Sequence, residues 1–266
     1  MSLNVTPISP ASAVDACVAA LQRAILEGAL KVGERLPPER SLAASFGVNR
    51  VTVRTALSRL QTAGLLSVRQ GSGYTVHDFK THGGPELLPD MARVARERGQ
   101  LLRVVEDLLR MRRHMAMAVL EVLPERADAE DLSSIRTAIA AFERLAESQD
   151  VAALIDADLE VVRSMLRATH SPALALCMNP ISSAVSEISE LPPLIYAEPH
   201  TNVAGYRLLL GWLESHPAHR PDAALLVAEL ARRDADTLMR LKRLFAADNK
   251  QSRPAARGKK HRDPIG

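Results

Sequence analysis

Aromatic residues are scarce: Phe, Tyr and Trp together make up 3% of the 266 residues, with a single Trp. A core without them must be built from Leu, Ala, Val, Ile and Met, and the Ala/Leu bias favours helix over strand. Only two cysteines occur, Cys17 and Cys177. They stand too far apart in sequence for a metal or redox motif, and both are expected as reduced core residues. No uninterrupted apolar run reaches the ~18 residues of a membrane span. The opening MSLNVTPISPASAVDAC has no basic segment followed by an apolar core, so no secretory signal is expected and the cytoplasm is the expected location. There is no P-loop, no G-x-S-x-G, no H-E-x-x-H and no locally supported Cys/His dyad. No catalytic residue and no cofactor are therefore assigned, and the chain is not expected to be an enzyme.

What is present points to two domains, which suits the length. The net charge of +3 is unevenly spread: residues 1–80 carry +4, the tail 249–266 carries +5, and the middle is left at −6. Positive ends around an acidic centre suit a polyanion that meets the ends. Residues 12–29 place Val14, Cys17, Val18, Leu21 and Ile25 on one helical face. A turn, KVGERLPPERS, leads to a short helix over 39–46, which Gly47 stops, and a second helix starts at Asn49 with Val53, Ala56, Leu57 and Leu60 on one face. Two strand-like runs, 65–68 and 74–77, flank a Gly-Ser-Gly turn and predict a β-hairpin. The order is that of a winged helix-turn-helix over residues 1–78.

Residues 79–89 are polar with Gly83-Gly84-Pro85 and are expected as a linker. From 90 to 248 the pattern predicts an antiparallel all-helical bundle, with helices over 86–98, 99–122, 128–147, 150–169, 172–189, 200–215 and 221–247, broken at Gly99, Pro124 and Pro192-Pro193 among others. The fold class is thus mainly α with one small hairpin. Residues 249–266 lack apolar periodicity and are expected as a basic disordered tail.

The first residues of a recognition helix must reach the major groove while its far face packs on the preceding helix. Asn49, Arg50, Thr52 and Arg54 stand at that start, with Arg able to donate two hydrogen bonds to guanine and Asn or Thr able to contact bases or phosphates. Arg40, on the preceding helix, is placed to clamp a phosphate. The tip Gln70-Gly71-Ser72-Gly73 is small enough to enter a minor groove. A solvated basic face would carry Arg50, Arg54 and Arg59 equally well; a Gly-tipped hairpin after a basic three-helix unit favours DNA.

Residues 33–76, GERLPPERSLAASFGVNRVTVRTALSRLQTAGLLSVRQGSGYTV, closely resemble the DNA-binding domain of the GntR family of bacterial regulators. They share G-x-x-L-P-x-E-R-x-L-A, then G-V-x-R-x-T-V-R, then L-x-R-L-x-x-x-G-L-L. The resemblance implies that Arg40, Asn49, Arg50, Thr52, Arg54 and Gln70–Gly73 carry the operator contacts. It also implies a homodimer on double-stranded DNA with a pseudo-palindromic site.

The helical half resembles the FadR subfamily of that family, more loosely, through LLRMRRHMAMAVL, which carries Arg112, and DLEVVRSMLRATHSPAL. The commonest version of that domain binds a divalent metal through one Asp and three His. Here Asp158 matches the acid, but Val162 stands where the first His is expected, Tyr206 where the second is, and Arg232-Arg233 near the third. No metal is therefore expected. The metal-free branch of the subfamily binds long-chain acyl-CoA, which implies a pocket with Met111, Met115, Val162, Met165 and Met178 as walls. Arg112, Tyr206 and Arg233 would be handles for a carboxylate, thioester or phosphate. The effector residues expected on this resemblance are Arg112, Asp158, Val162, Tyr206 and Arg233. The alternative is a helical domain that only dimerises or holds a protein partner, with no small-molecule effector.

Overall fold

A computed structural model describes residues 10–69, 73–148 and 150–251. It is mainly helical with one two-stranded antiparallel sheet, the fold class expected from the sequence. The chain groups into two compact units. Of the described residues, those within 1–112 and 172–188 form the first, and those within 113–171 and 189–251 the second.

In the first unit, helix α1 (Pro10–Leu26) packs on the helical pair α2 (Glu39–Phe46) and α3 (Arg50–Thr62). Gly47 ends α2 at φ 65, a left-handed position where glycine carries no Cβ penalty. The side chain of Asn49 then caps α3 by accepting the Thr52 amide at 2.8 Å. Val53, Leu57 and Leu60 of α3 are wholly buried against Leu21, Ile25, Leu36, Leu42, Leu65, Leu66 and Val76, and Ala56 against Val14 and Cys17 of α1. Strands β1 (Leu66–Arg69) and β2 (Gly73–Val76) pair in the register Leu66 to Val76.

The hairpin is wider than the sequence suggests. The stretch read as a turn adds a third, strand-like edge, since Leu36 N–H donates to Tyr74 O and Val76 N–H to Glu34 O, both at 2.9 Å. Nor is the linker featureless. It folds into the short helix α4 (Phe79–His82) and a 3-10 turn over 85–87, and Phe79 and Leu87 join the wing core. Gly64 makes this possible. Its φ is +72, and a Cβ there would lie 1.9 Å from the carbonyl oxygen of His82. Helix α5 (Leu88–Glu97) follows and packs on α1, where Gln22 donates to Asp90 at 2.5 Å and Arg23 pairs with Glu97.

Helix α6 (Leu101–Arg126) contributes residues to both units and continues past Pro124, where a break was expected, to Arg126. Leu120 and Leu123, buried in the second core, hold the turn that the missing proline N–H would otherwise help close. Helix α9 (Pro172–Glu187), also in the first unit, buries Met178 and Ile181 but leaves Cys177 exposed. The expectation of two core cysteines is corrected here: Cys17 is buried, and burial pushes its thiol pKa up.

In the second unit, α7 (Ala129–Leu145) and α8 (Val151–Ala168) form a helical hairpin, joined by α10 (Leu191–Ile195), α11 (Pro199–Glu214) and α12 (Ala224–Gln251). Phe142, Ile135, Leu154 and Val161 are its dry centre. Arg220 closes α11: its guanidinium donates to the carbonyls of Trp212, Leu213 and Ser215 and lies 5.1 Å from the Trp212 ring centre. Because α12 continues to Gln251, residues 249–251 are helical where tail was expected; 252–266 lie outside the described residues.

Candidate functional site

The outer face of α3 is set by its period. With Val53, Ala56, Leu57 and Leu60 inside, Arg50, Val51, Arg54, Thr55 and Ser58 are outside and exposed. Arg50 opens the helix and Arg40 is exposed on α2. Arg54 is not loose: its guanidinium forks over Glu39, the first residue of α2, at 2.8 to 3.2 Å. That contact pulls the Glu39 carboxyl below its ordinary pKa. A depressed carboxyl holds its pair above the ordinary carboxylate range and loses it as pH falls through the lowered value, so the fork persists at neutral pH. Sequence reasoning missed Glu39, although it directly precedes Arg40 in the shared P-x-E-R segment.

Two expected contact residues do another job. Thr52 turns inward, 8% exposed, with its hydroxyl 3.1 Å from Asn49 Oδ1. Its backbone N–H makes the cap that starts α3, and its hydroxyl adds a second bond to the same Asn49 oxygen. Asn49 spends its side-chain oxygen on the same cap. Asn49→Asp keeps an acceptor for that cap but adds a negative charge at the helix start. It should leave the thermal midpoint nearly unchanged while weakening DNA binding, whereas Asn49→Ala should cost about 1 kcal/mol of stability. Thermal melts beside binding titrations separate the two. Of the wing tip, Gln70, Gly71 and Ser72 lie outside the described residues; Gly73 opens β2 at φ 79.

The second unit holds a polar cluster inside its apolar core. The Tyr206 hydroxyl of α11 donates to Asp158 of α8, and the Tyr206 ring stands edge-on to Phe142 at 5.3 Å. Burial first, and the neighbouring Asp158 carboxylate second, push the phenol well above its ordinary pKa, so it stays a donor. Arg233 of α12 reaches across α11, its guanidinium 3.5 Å from Thr201 O. It lies close over Gly205, where an added Cβ would stand 2.2 Å from Arg233 Nη1 and make that side-chain end shift. One turn before Tyr206, Asn202 is 2% exposed and its buried Oδ1 has no hydrogen-bond partner among the described residues. Sequence reasoning missed Asn202, although its i, i+4 spacing to Tyr206 places both on one face of α11.

Asp158, Tyr206 and Arg233 are thus gathered, with Val162 half-buried one turn along α8 from Asp158. Arg112 falls in the first unit, with Met111 and Met178; Met115 and Met165 fall in the second. These residues do not fit a divalent cation. Around Asp158 stand a phenol already bound to it, a valine and a guanidinium, which offer a cation neither imidazole nor a second carboxylate. Elsewhere, Asp128, Asp131 and His170 bring ligand atoms within 4.8 Å of one another. Both carboxylates there are spent on the capping box of α7, and Asp131 also meets His170 Nε2 at 2.8 Å.

Residues 14–76 match the family model described as bacterial regulatory proteins, gntR family, and residues 107–227 match the FCD domain. The HTH-type transcriptional regulator Mce2R of Mycobacterium tuberculosis (strain CDC 1551 / Oshkosh) is 44% identical over 107 residues, covering 40% of this chain and 43% of that protein. The fatty acid metabolism regulator protein of Cronobacter sakazakii is 28% identical over 160 residues, covering 59% of this chain and 62% of that one. The chain spans less than two thirds of the length of either relative. Among solved structures, one described as "Lar controls the expression of the Listeria monocytogenes agr system and mediates virulence" is similar in fold, with a TM-score of 0.56 at 18% identity over 91% of this chain and 100% of that one.

Proposed function

Because the chain belongs to the GntR family of bacterial regulatory proteins, we propose that it is a transcription regulator whose operator affinity is set by a small molecule bound among the helices of the second unit. The observation that carries the DNA reading is the outward row of α3: Arg50 and Arg54 on a capped helix, backed by a dry core and beside a hairpin wing. The operator is read by Arg40, Asn49, Arg50, Arg54 and the wing tip Gln70–Gly73. Each recognition helix reads one half-site, so the regulator acts as a homodimer on a pseudo-palindrome. Exposed Leu208, Leu225, Met239 and Leu244 of the second unit support a surface that a second copy covers.

The effector reading is supported by the buried oxygen of Asn202, which has no partner among the described residues and stands on the same face of α11 as Tyr206. A buried polar atom without a partner costs free energy that a ligand can recover. The Arg233 guanidinium, held against α11, favours a carboxylate or a phosphate, both charge classes that acyl-chain metabolites carry. The Cronobacter relative, named for fatty acid metabolism, supports starting with acyl-CoA. Effector binding biases the spacing of the two recognition helices, so both half-sites can no longer be met together.

Selection of the purified full chain on random duplexes tests the DNA half; an enriched inverted repeat is expected, and none at all overturns it. For the effector half, native mass spectrometry and thermal shifts against fatty acids and acyl-CoAs should give a ligand-dependent rise in melting temperature. Arg233→Ala should abolish that rise. A chain that melts alike with every ligand favours a second unit that only dimerises or holds a protein partner.

A further inference from the structure

One feature of α3 is not explained by folding. Its large aliphatic side chains Val53, Leu57 and Leu60 are wholly buried, yet Val51 is 72% exposed. A β-branched apolar residue at the second position of a helix adds little to helix propensity, and Val51 is absent from the two clusters that bury the other apolar residues of α3. It sits in the outward row, directly after Arg50 and one turn before Thr55. The Thr55 hydroxyl is turned back to donate to Val51 O at 2.9 Å, so its proton is spent within the helix. The row therefore alternates charge with an apolar strip: guanidinium at 50, apolar at 51, guanidinium at 54 held aside by Glu39.

In the major groove, the edge of each base pair offers donors, acceptors and, on thymine alone, a C5-methyl group. An exposed valine offers hydrogen bonds to none of the polar positions, and it would desolvate any it covered. Resting on the reading of α3 as the DNA-facing helix, we infer that Val51 is a specificity-determining residue that packs on a thymine methyl in each half-site. Arg50 and Arg54 supply attraction and polar readout, and Val51 selects thymine over cytosine at one position.

Deoxyuridine lacks only that methyl, so it isolates the contact. The full chain is first selected on random duplexes; each thymine of the enriched sequence is then replaced singly by deoxyuridine, and affinity is measured for the natural chain, Val51→Ser and Val51→Ile. One thymine per half-site is expected at which the replacement weakens the natural chain and Val51→Ile by about fourfold, the value of burying one methyl-sized group. Val51→Ser should bind the thymine and deoxyuridine duplexes equally. Because position 51 is exposed, circular dichroism of the serine variant should match the natural chain. If every replacement is neutral, or if the methyl-dependent loss persists in Val51→Ser, the assignment of Val51 is wrong while DNA binding stands. If selection enriches no sequence, the DNA reading itself fails and this inference with it.

Discussion

Replacing Arg50 with alanine is expected to weaken binding to the selected operator by about 5- to 150-fold for each recognition helix, the range of one lost bidentate base contact. The size follows from place. Arg50 is the first residue of α3, exposed and directly after the Asn49 cap, so a groove that met this helix end would meet its fork without reorganising the fold. In a dimer both half-sites lose the contact, and the free energies add. Arg40→Ala makes the control. As a phosphate contact it should weaken all sequences alike and lower the salt slope by about one counterion, whereas Arg50→Ala should flatten the preference at one base position. Titrations at several salt concentrations distinguish the two. Unchanged affinity in Arg50→Ala, with an unchanged melt, would remove α3 from the interface. Arg54 differs because the Glu39 fork must open or reorient before Arg54 can bond a base. Glu39→Gln weakens that hold and removes a negative charge beside the helix, so it should raise nonspecific DNA affinity, an effect smaller than that of Arg50→Ala.

The helical face of α3 was legible because its burial follows the 3.6-residue period from Val53 to Leu60, and because Gly47 and Asn49 are chemically suited to end one helix and begin the next. The inward turn of Thr52 was not legible, since at a helix start capping competes with facing outward. The strand edge at Glu34–Leu36 was hidden because it joins the sheet through two backbone bonds and has no alternating run of its own. Pro124 looked like a stop because local backbone chemistry argues for one; burial of Leu120 and Leu123, a tertiary effect, outweighs it. The Asp158–Tyr206 pair could be suspected from sequence only as a departure from a family pattern. Arg233 over Gly205, and the buried Asn202 oxygen, exist only once α11 and α12 are packed together.

Phe142→Ala should destabilise the second unit by about 3–5 kcal/mol, the cost of a large cavity in a close-packed core. Phe142 has no exposed surface and lies at the centre of the cluster formed by α6, α7, α8 and α11, touching the rings of both Tyr196 and Tyr206. Few aromatics means few substitutes: the aliphatic neighbours cannot fill a ring-sized void without leaving their rotamers. The sequence also supplies the probe. Its one tryptophan, Trp212, is buried in the same core, with its indole N–H donating to Pro221 O at 2.7 Å. Tryptophan fluorescence during urea unfolding therefore follows the second unit alone, while DNA affinity follows α3 in the first. The expected result is a lower fluorescence midpoint in Phe142→Ala, with Phe142→Leu losing less. The same variant loses the wall on which the Tyr206 ring rests, so the thermal response to effector should vanish before the DNA-binding unit does. Equal midpoints for the natural chain and Phe142→Ala would mean that this ring does not organise the core, and the polar cluster beside it would then need another support.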